Sequence, residues 1–218
     1  MVREHRTHRV GATRIIDKLK PANWGDIGAT KNFGGDTPAD ALAQMVKGFA
    51  AGQTTDIIQT LPPKRYEPLY RFRESFTTFT TNATAKVDIK DNKLVRDKRG
   101  TLLPLDGSTI SITRTDPHFG DRDTLSVQFA KDCFTYSEQK YDAYYNQTTT
   151  SNNNKCWSDL AELAKNVPTG TFDLSWLKTV ADIDGFWVNV EQVDGRWFVD
   201  PVETVAAYTH IISAAANG

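Results

Sequence analysis

The sequence predicts an α+β protein in which helices come first, antiparallel strands follow, and a helix closes the chain. Three features support this prediction. A capped amphipathic helix begins near Thr37, the hydrophobic period changes to two after Asn82, and an Asp194–Gly195 turn leads directly into a second capped helix. With 218 residues, 39% hydrophobic and 24% charged, the chain can form one sizeable core or two small ones.

The first 22 residues are basic, since six Arg and Lys residues stand against Glu4 and Asp17. We interpret 1–22 as a basic lead-in, for which a solvated segment, a juxtamembrane stalk and a nucleic-acid arm are the alternatives. The formal net charge of −1 argues against a general nucleic-acid binder. No apolar run long enough for a membrane span or a signal-peptide centre occurs in the sequence. We expect residues 23–218 to form a single domain.

Helix signals dominate the first part of this domain. In "GGDTPADALAQMVKGFAAG", Thr37 is the predicted N-cap, Pro38 opens the helix and Gly52 ends it. Its predicted apolar stripe consists of Leu42, Met45, Val46 and Phe49. A short second helix is predicted at 55–60 and a third at about 64–79, separated by a pair of prolines.

Strand signals follow Asn82. The stretches "ATAKVDIK", "STISITRT" and "TLSVQFAK" alternate apolar and polar residues, and turn residues such as "PLDGS" and "GDRD" separate them. This alternation is typical of antiparallel strands with one face in a core and one in water.

The chain closes with a hairpin and a helix. Asp194–Gly195 separates "GFWVNVEQV" from "RWFV", which predicts a type I′ hairpin. Asp200, Pro201 and Glu203 then provide an N-cap, a first-turn proline and a capping-box residue. The predicted buried stripe of this helix is Val202, Val205, Ala206, Thr209 and Ile212.

The two cysteines, Cys133 and Cys156, bracket a polar segment rich in Tyr, Asn and Thr, which we predict to be a loop. A disulfide that ties its ends together would contribute roughly 3 kcal/mol through the unfolded state. Two unrelated free thiols are the alternative. A disulfide implies an oxidising compartment, so we expect an extracellular or cell-surface protein.

Two stretches carry a resemblance to a known family. "GGDTPADALAQMVKGFAAGQTTDIIQTLPP" resembles the opening of nuclear transport factor 2-like domains, whose fold is shared with ketosteroid isomerase. "VDGRWFVDPVETVAAY" is similar to the last hairpin of secreted or membrane-tethered actinobacterial envelope proteins that carry such domains. The resemblance implies N-terminal helices packed on a curved antiparallel sheet, a cystatin-like cone, with a pocket between them and a Cys133–Cys156 bounded insertion.

Catalytic motifs are missing from the sequence. It contains no serine-nucleophile elbow, zinc motif or glycine-rich phosphate loop. An isomerase- or dehydratase-like site would need a carboxylate base beside a phenol. Residues of the right type are Tyr66, Tyr70, Asp88, Asp132 and Tyr136, but none has a spacing that demands the role. We expect no catalytic residue, metal or cofactor, with such an enzyme as the alternative.

Two binding hypotheses remain. Trp187 and Trp197 line a pocket for a small apolar ligand or lipid in one hypothesis, and simply fill a core in the alternative. In the other, Tyr136, Tyr141, Tyr144 and Tyr145 give the cysteine-bounded segment a surface that meets another envelope protein. A disordered insertion is the alternative for that segment. We favour a non-catalytic binding or assembly domain; a homodimer and a membrane tether outside this sequence are further expectations.

Overall fold

The computed structural model describes residues 33–70, 82–159, 162 and 185–217. The basic lead-in and the second half of the predicted third helix lie outside these residues. The elements are, in chain order, α1 (Pro38–Ala51), α2 (Thr54–Gln59), α3 (Pro63–Tyr70), β1 (Ala83–Asp88), β2 (Val95–Asp97), β3 (Gly100–Pro104), β4 (Thr109–Thr115), β5 (Arg122–Ala130), β6 (Cys133–Asp142), β7 (Gln147–Cys156), β8 (Trp187–Val193), β9 (Arg196–Val199) and α4 (Pro201–Asn217).

The strands form two antiparallel sheets. The small sheet has the order β2-β3-β8-β9, and the large sheet has the order β1-β4-β5-β6-β7. α1 packs against β9 of the small sheet and β1 of the large one, so it joins the two. The predicted α+β class, with antiparallel strands and a C-terminal helix, is confirmed.

α1 begins and ends at local signals. The Thr37 hydroxyl accepts a hydrogen bond from the Asp40 N–H at 3.1 Å, and the Asp40 carboxylate accepts one from the Thr37 N–H at 3.1 Å. Gly52 takes the left-handed conformation, with φ of 66°, that ends the helix. Leu42 and Met45 are buried as expected, whereas Phe49 is exposed. The small residues around Phe49 are buried in its place, and Gly48 lies against α2.

The main core lies between the first three helices and the small sheet. Its buried members include Leu42, Met45, Ile58, Leu61, Tyr66, Leu103, Leu105, Val190, Phe198 and Val199. From the large sheet, Phe129 packs against this cluster, as does Ile89 just after β1. The large sheet therefore meets the core at one end, and its other end extends away from the main cluster.

The terminal hairpin and cap are confirmed. Asp194 and Gly195 have φ of 50° and 80°, as a type I′ turn requires. Asp200 is buried and accepts a hydrogen bond from the Glu203 N–H at 3.0 Å, which caps α4. It also accepts one from Arg65 Nε at 3.3 Å, so the cap ties α4 to α3.

The predicted buried stripe of α4 is wrong, since Val205 is 65% exposed and Val202 and Ile212 also face solvent. Hydrogen bonds to β8 orient this helix, together with the packing of Tyr208 and Ile211 against the cluster of Leu102 and Trp187. β9 pairs with β8 only from Val190 to Val193. α4 covers the edge of the first half of β8, which β9 does not reach. The N–H groups of Trp187 and Asn189 donate to the hydroxyls of Tyr208 at 3.0 Å and Thr204 at 2.8 Å.

In the described part of the chain, no helix combines the length and apolar character that crossing a membrane requires.

Candidate functional site

The cysteine-bounded segment is a β-hairpin, so the prediction of a polar loop is wrong. β6 and β7 pair along their whole ten-residue lengths, from Cys133 opposite Cys156 to Asp142 opposite Gln147. We call Cys133–Cys156 the hairpin. Its outer strand, "QTTTSNNNKC", is polar on both faces, so no hydrophobic alternation indicates a strand. The threonines, which favour strands, are the one local signal that points to the observed structure.

A disulfide closes the base of the hairpin, as predicted. Cys133 and Cys156 are bonded, with their Cα atoms 3.9 Å apart. A strand that is polar on both faces specifies its pairing register weakly, because a slip of one residue exposes no apolar side chain. The covalent bond fixes the register that the side chains leave undetermined.

The tip of the hairpin presents two exposed aromatic rings. Tyr144 and Tyr145 are 87% and 66% exposed, and their rings meet edge to face with centroids 4.8 Å apart. The backbone beneath them is held in place. The Tyr145 N–H donates to Asp142 at 2.9 Å, and the Ala143 N–H donates to Asp121 at 2.8 Å. The tip is therefore an ordered aromatic surface.

One face of the large sheet carries hydroxyl and amide side chains in register across four strands. Side chains two residues apart share a face, and directly opposed residues do so too. We call this the polar face: Thr109, Ser111, Thr113, Thr124, Ser126, Gln128, Thr135, Ser137, Gln139, Thr148, Thr150, Asn152 and Asn154. Hydrogen bonds of 2.7 to 3.1 Å join Ser111 to Ser126, Thr113 to Thr124, and Thr135 to Asn154. Sequence reasoning missed this face, because only the register assembles it.

The four predicted contact tyrosines do not share one surface. Tyr141 lies on the polar side of the sheet, where the Arg122 guanidinium sits 4.6 Å from the centre of its ring. Tyr136 lies on the opposite, more apolar face, in register with Val127. Tyr144 and Tyr145 lie at the tip. The structure thus groups the two tip tyrosines and separates the other two.

The two tryptophans lie in different clusters of the small sheet. Trp187 is buried, stacks on Tyr208 with ring centroids 4.3 Å apart, and has the Arg99 guanidinium 4.5 Å from its ring centre. Trp197 is half-buried and packs at the edge of the main core. Each lines a different open cavity, of about 250 Å³ for Trp187 and about 560 Å³ for Trp197. Both side chains thus pack in a cluster and also line a cavity.

The burial of Tyr208 perturbs its ionisation. Burial against Trp187 raises the pKa of the Tyr208 phenol to about 12, although a backbone hydrogen bond from Trp187 and the charge of Arg99 act in the opposite direction. The neutral phenol is needed here, because it accepts from the Trp187 N–H and donates to the Trp187 carbonyl at 3.2 Å.

A larger open cavity, of about 820 Å³, lies at the tip end of the large sheet. Its lining alternates in charge along the register, with Arg114 opposite Asp123 and Asp123 opposite Lys140. Glu138 accepts a hydrogen bond from Lys140 and thereby raises the pKa of that ammonium above its ordinary value. The cavity also includes Tyr141. Its mixed charges suit polar contacts rather than an apolar ligand.

The residues considered for catalysis lie in separate places. Tyr66 is buried against the Phe33 ring, whereas Asp88 is exposed and paired with Lys90 at 2.9 Å. Asp132 lies in the turn between β5 and β6, and Tyr136 lies within β6. Tyr70 is the last residue of α3, and the structure does not describe its side chain. Within the described residues, no group of three or more His, Cys, Asp or Glu side chains is placed to hold a metal ion.

Comparison with family models, curated proteins and solved structures gives no match for this chain.

Proposed function

We propose that this is a non-catalytic binding or assembly domain that acts through protein contacts made by the hairpin. The observation that carries the proposal is the hairpin itself. Its outer strand is exposed along nine-tenths of its length, and a disulfide holds its base. A polar structure of this kind adds little to the core, so its value to the protein lies in what it presents.

The tip tyrosines are the proposed centre of contact. Tyrosine provides a large, half-polar surface that loses little conformational entropy on binding, and it is enriched at interfaces. Because Asp121 and Asp142 hold the tip backbone, Tyr144 and Tyr145 are presented in an ordered arrangement before a partner arrives. The mixed charges of the neighbouring cavity would supply the polar rim.

We also propose that the domain works outside the cell or at the cell surface, where disulfides persist. The proposed partner is another envelope protein. The nuclear transport factor 2-like cone remains our proposal for the family, on the strength of the two quoted stretches and of an order in which helices precede the sheets.

Binding of a small apolar ligand is a second candidate. It draws on the cavity beside Trp187, which Val95, Leu102 and Phe186 also line. A lipid that copurifies with the wild-type protein and is absent from a folded Leu102→Trp variant, which fills this cavity, would support it. The isomerase-like enzyme is the remaining alternative; its candidates Tyr66, Asp88 and Asp132 lie on α3, on β1 and in the turn between β5 and β6.

A photo-crosslinking experiment tests the main proposal. A photoreactive amino acid replaces Tyr144 in the full chain. This variant is produced in the cells to which the protein is native, and the cells are then irradiated. We expect an adduct with one discrete protein. We also expect Tyr145→Ala to weaken binding about thirtyfold and to reduce the adduct yield accordingly at low concentration, because interface aromatics contribute about 2 kcal/mol or more.

The matched control uses Phe49, a 61% exposed aromatic residue in α1. The same probe at Phe49 should give no such adduct. Equal adduct yields from the two probe positions would contradict a role for the tip. An adduct yield that Tyr145→Ala leaves unchanged would do so as well.

A further inference from the structure

β7 is the outermost strand of the large sheet within the described part of the chain. Proteins usually protect such an edge with charges, proline, bulges or a covering segment, because its unpaired N–H and C=O groups can pair with another strand. Residues 147–154 contain no charge and no proline, and every one of them is exposed. This edge therefore lacks the usual charge and proline protection.

The backbone groups that face the open edge can be identified. The Trp157 N–H donates to the Asp132 carbonyl at 3.0 Å, so residues 132 and 157 are a hydrogen-bonded pair. Hydrogen-bonded and non-hydrogen-bonded pairs alternate along an antiparallel ladder. Cys133 and Cys156 are consequently a non-hydrogen-bonded pair. The residues that direct their N–H and C=O groups outward are therefore Thr148, Thr150, Asn152 and Asn154.

The sequence of this edge is complementary to itself. The stretch "TTTSNNN" has Ser151 at its centre, with threonines on one side and asparagines on the other. If two copies pair antiparallel about Ser151, each threonine meets an asparagine: Thr148 meets Asn154, Thr149 meets Asn153, and Thr150 meets Asn152. The protein already uses such a pair within its own sheet, where the Thr135 hydroxyl donates to Asn154 at 3.1 Å.

We propose that a second copy of this chain pairs with β7 through β7, with Ser151 on the two-fold axis. The backbone permits this register, because each residue whose N–H and C=O groups point out of the open edge lies opposite another residue of the same kind. It also brings no like charges together, since Lys155 lies opposite Gln147. The two large sheets then form one continuous sheet with a continuous polar face. This inference rests on the proposed role of the hairpin as a contact surface and specifies one partner for it.

Cysteine cross-linking of the full chain tests the register. Ser151→Cys places two thiols opposite each other at a non-hydrogen-bonded pair, the same kind of position that Cys133 and Cys156 occupy. We expect mild oxidation to give a covalent dimer. Thr149→Cys and Asn153→Cys should give little dimer alone and a covalent heterodimer when mixed. Efficient cross-linking of Thr149→Cys by itself would overturn the proposed register.

Sedimentation tests the edge. Thr150→Pro removes an outward N–H but no hydrogen bond to β6, and edge strands accept proline at such positions. We expect it to weaken the dimer about tenfold or more, whereas Thr150→Val, which keeps the N–H, should have a smaller effect. If the proline variant loses the hairpin, the double variant Thr150→Lys with Asn152→Lys serves instead. In the proposed register it places a lysine at 150 of one copy opposite a lysine at 152 of the other.

The outcomes separate this inference from the proposed function. Self-pairing is overturned if the wild-type chain is monomeric at about 1 mM and the Ser151→Cys variant forms no covalent dimer. A dimer that survives both edge variants overturns it as well. In either case, an adduct from the Tyr144 probe with a different protein would leave the proposed function in place. Loss of that adduct in Thr150→Pro, with the wild type monomeric, would mean that the edge receives a foreign strand.

Discussion

The two sheets of this protein are specified in different ways. The small sheet contributes to both buried clusters: Leu103, Val190 and Val199 to the main core, and Leu102 and Trp187 to the cluster that includes Tyr208 of α4. Within the described residues, the large sheet meets the core at one end; its polar face is half-buried or exposed, and its β7 strand is exposed. Burial selects the register of the first sheet, whereas a disulfide and cross-strand hydrogen bonds hold the outer strands of the second.

This contrast separates the apolar core, to which the small sheet belongs, from the exposed surface that we propose for contacts. Removal of apolar surface from water is the main favourable term in folding, and in the described part of the chain the buried apolar strand residues all lie in the small sheet. The outer strands of the large sheet contribute little to it. They are consequently free to carry hydroxyls, amides and exposed tyrosines, the groups that serve contacts.

The largest expected effect comes from a matched pair of leucines. Leu103 in β3 is completely buried, whereas Leu125 in β5 is 48% exposed. Leu103→Ala should lower the free energy of unfolding by about 2–5 kcal/mol, because it removes buried methyl groups and leaves a cavity. Leu125→Ala should cost about 1 kcal/mol or less. Urea unfolding of both variants measures the two values, and similar losses would contradict the contrast between the sheets.

Removal of the disulfide should have a smaller and more local effect. In the double variant Cys133→Ser and Cys156→Ser, the unfolded hairpin regains the conformational freedom that the bond removes, worth about 3 kcal/mol at most. Hydrogen exchange read residue by residue should show faster exchange of amides in β6 and β7, with smaller changes in α1 and β8. Equal loss of protection in β8 would mean that the hairpin supports the core after all.

Local signals in the sequence predicted the elements that local chemistry determines. Thr37 caps α1, Asp194–Gly195 forms the hairpin turn, and Asp200 caps α4, because each depends on residues within a few positions. The alternating strands β1, β4 and β5 were recognisable for the same reason. The disulfide and the two tip tyrosines of the candidate site were also named from the sequence.

Features that depend on a distant partner were missed. The phase of α4 follows its contacts with the small sheet, where Tyr208 and Thr204 accept hydrogen bonds from β8 and Tyr208 and Ile211 pack against the cluster of Leu102 and Trp187. β7 shows no hydrophobic alternation, since both of its faces are polar. The polar face exists only when four strands are in register. The separation of Trp187 from Trp197 likewise follows from the pairing of β8 with β9.

The smallest expected effect concerns pH and the contact between α4 and the small sheet. The Tyr208 phenol has a pKa of about 12 in the folded protein, against an ordinary value of 10.0. Between about pH 10 and pH 12 the unfolded chain loses this proton while the folded protein keeps it. The stability that the neutral phenol contributes is therefore fully present below pH 10 and is lost as the pH rises to 12, by about 2 kcal/mol.

Tyr208→Phe isolates this contribution. The variant should be less stable than the wild type at pH 8 by about 1 kcal/mol, because the N–H and carbonyl of Trp187 lose a hydroxyl partner. Between pH 10 and pH 12, however, its stability should fall less steeply than that of the wild type. Urea unfolding at each pH gives both curves, and other titrating groups cancel in their difference. Parallel curves would show that Tyr208 ionises as a solvent-exposed phenol, and that α4 does not bury it against Trp187.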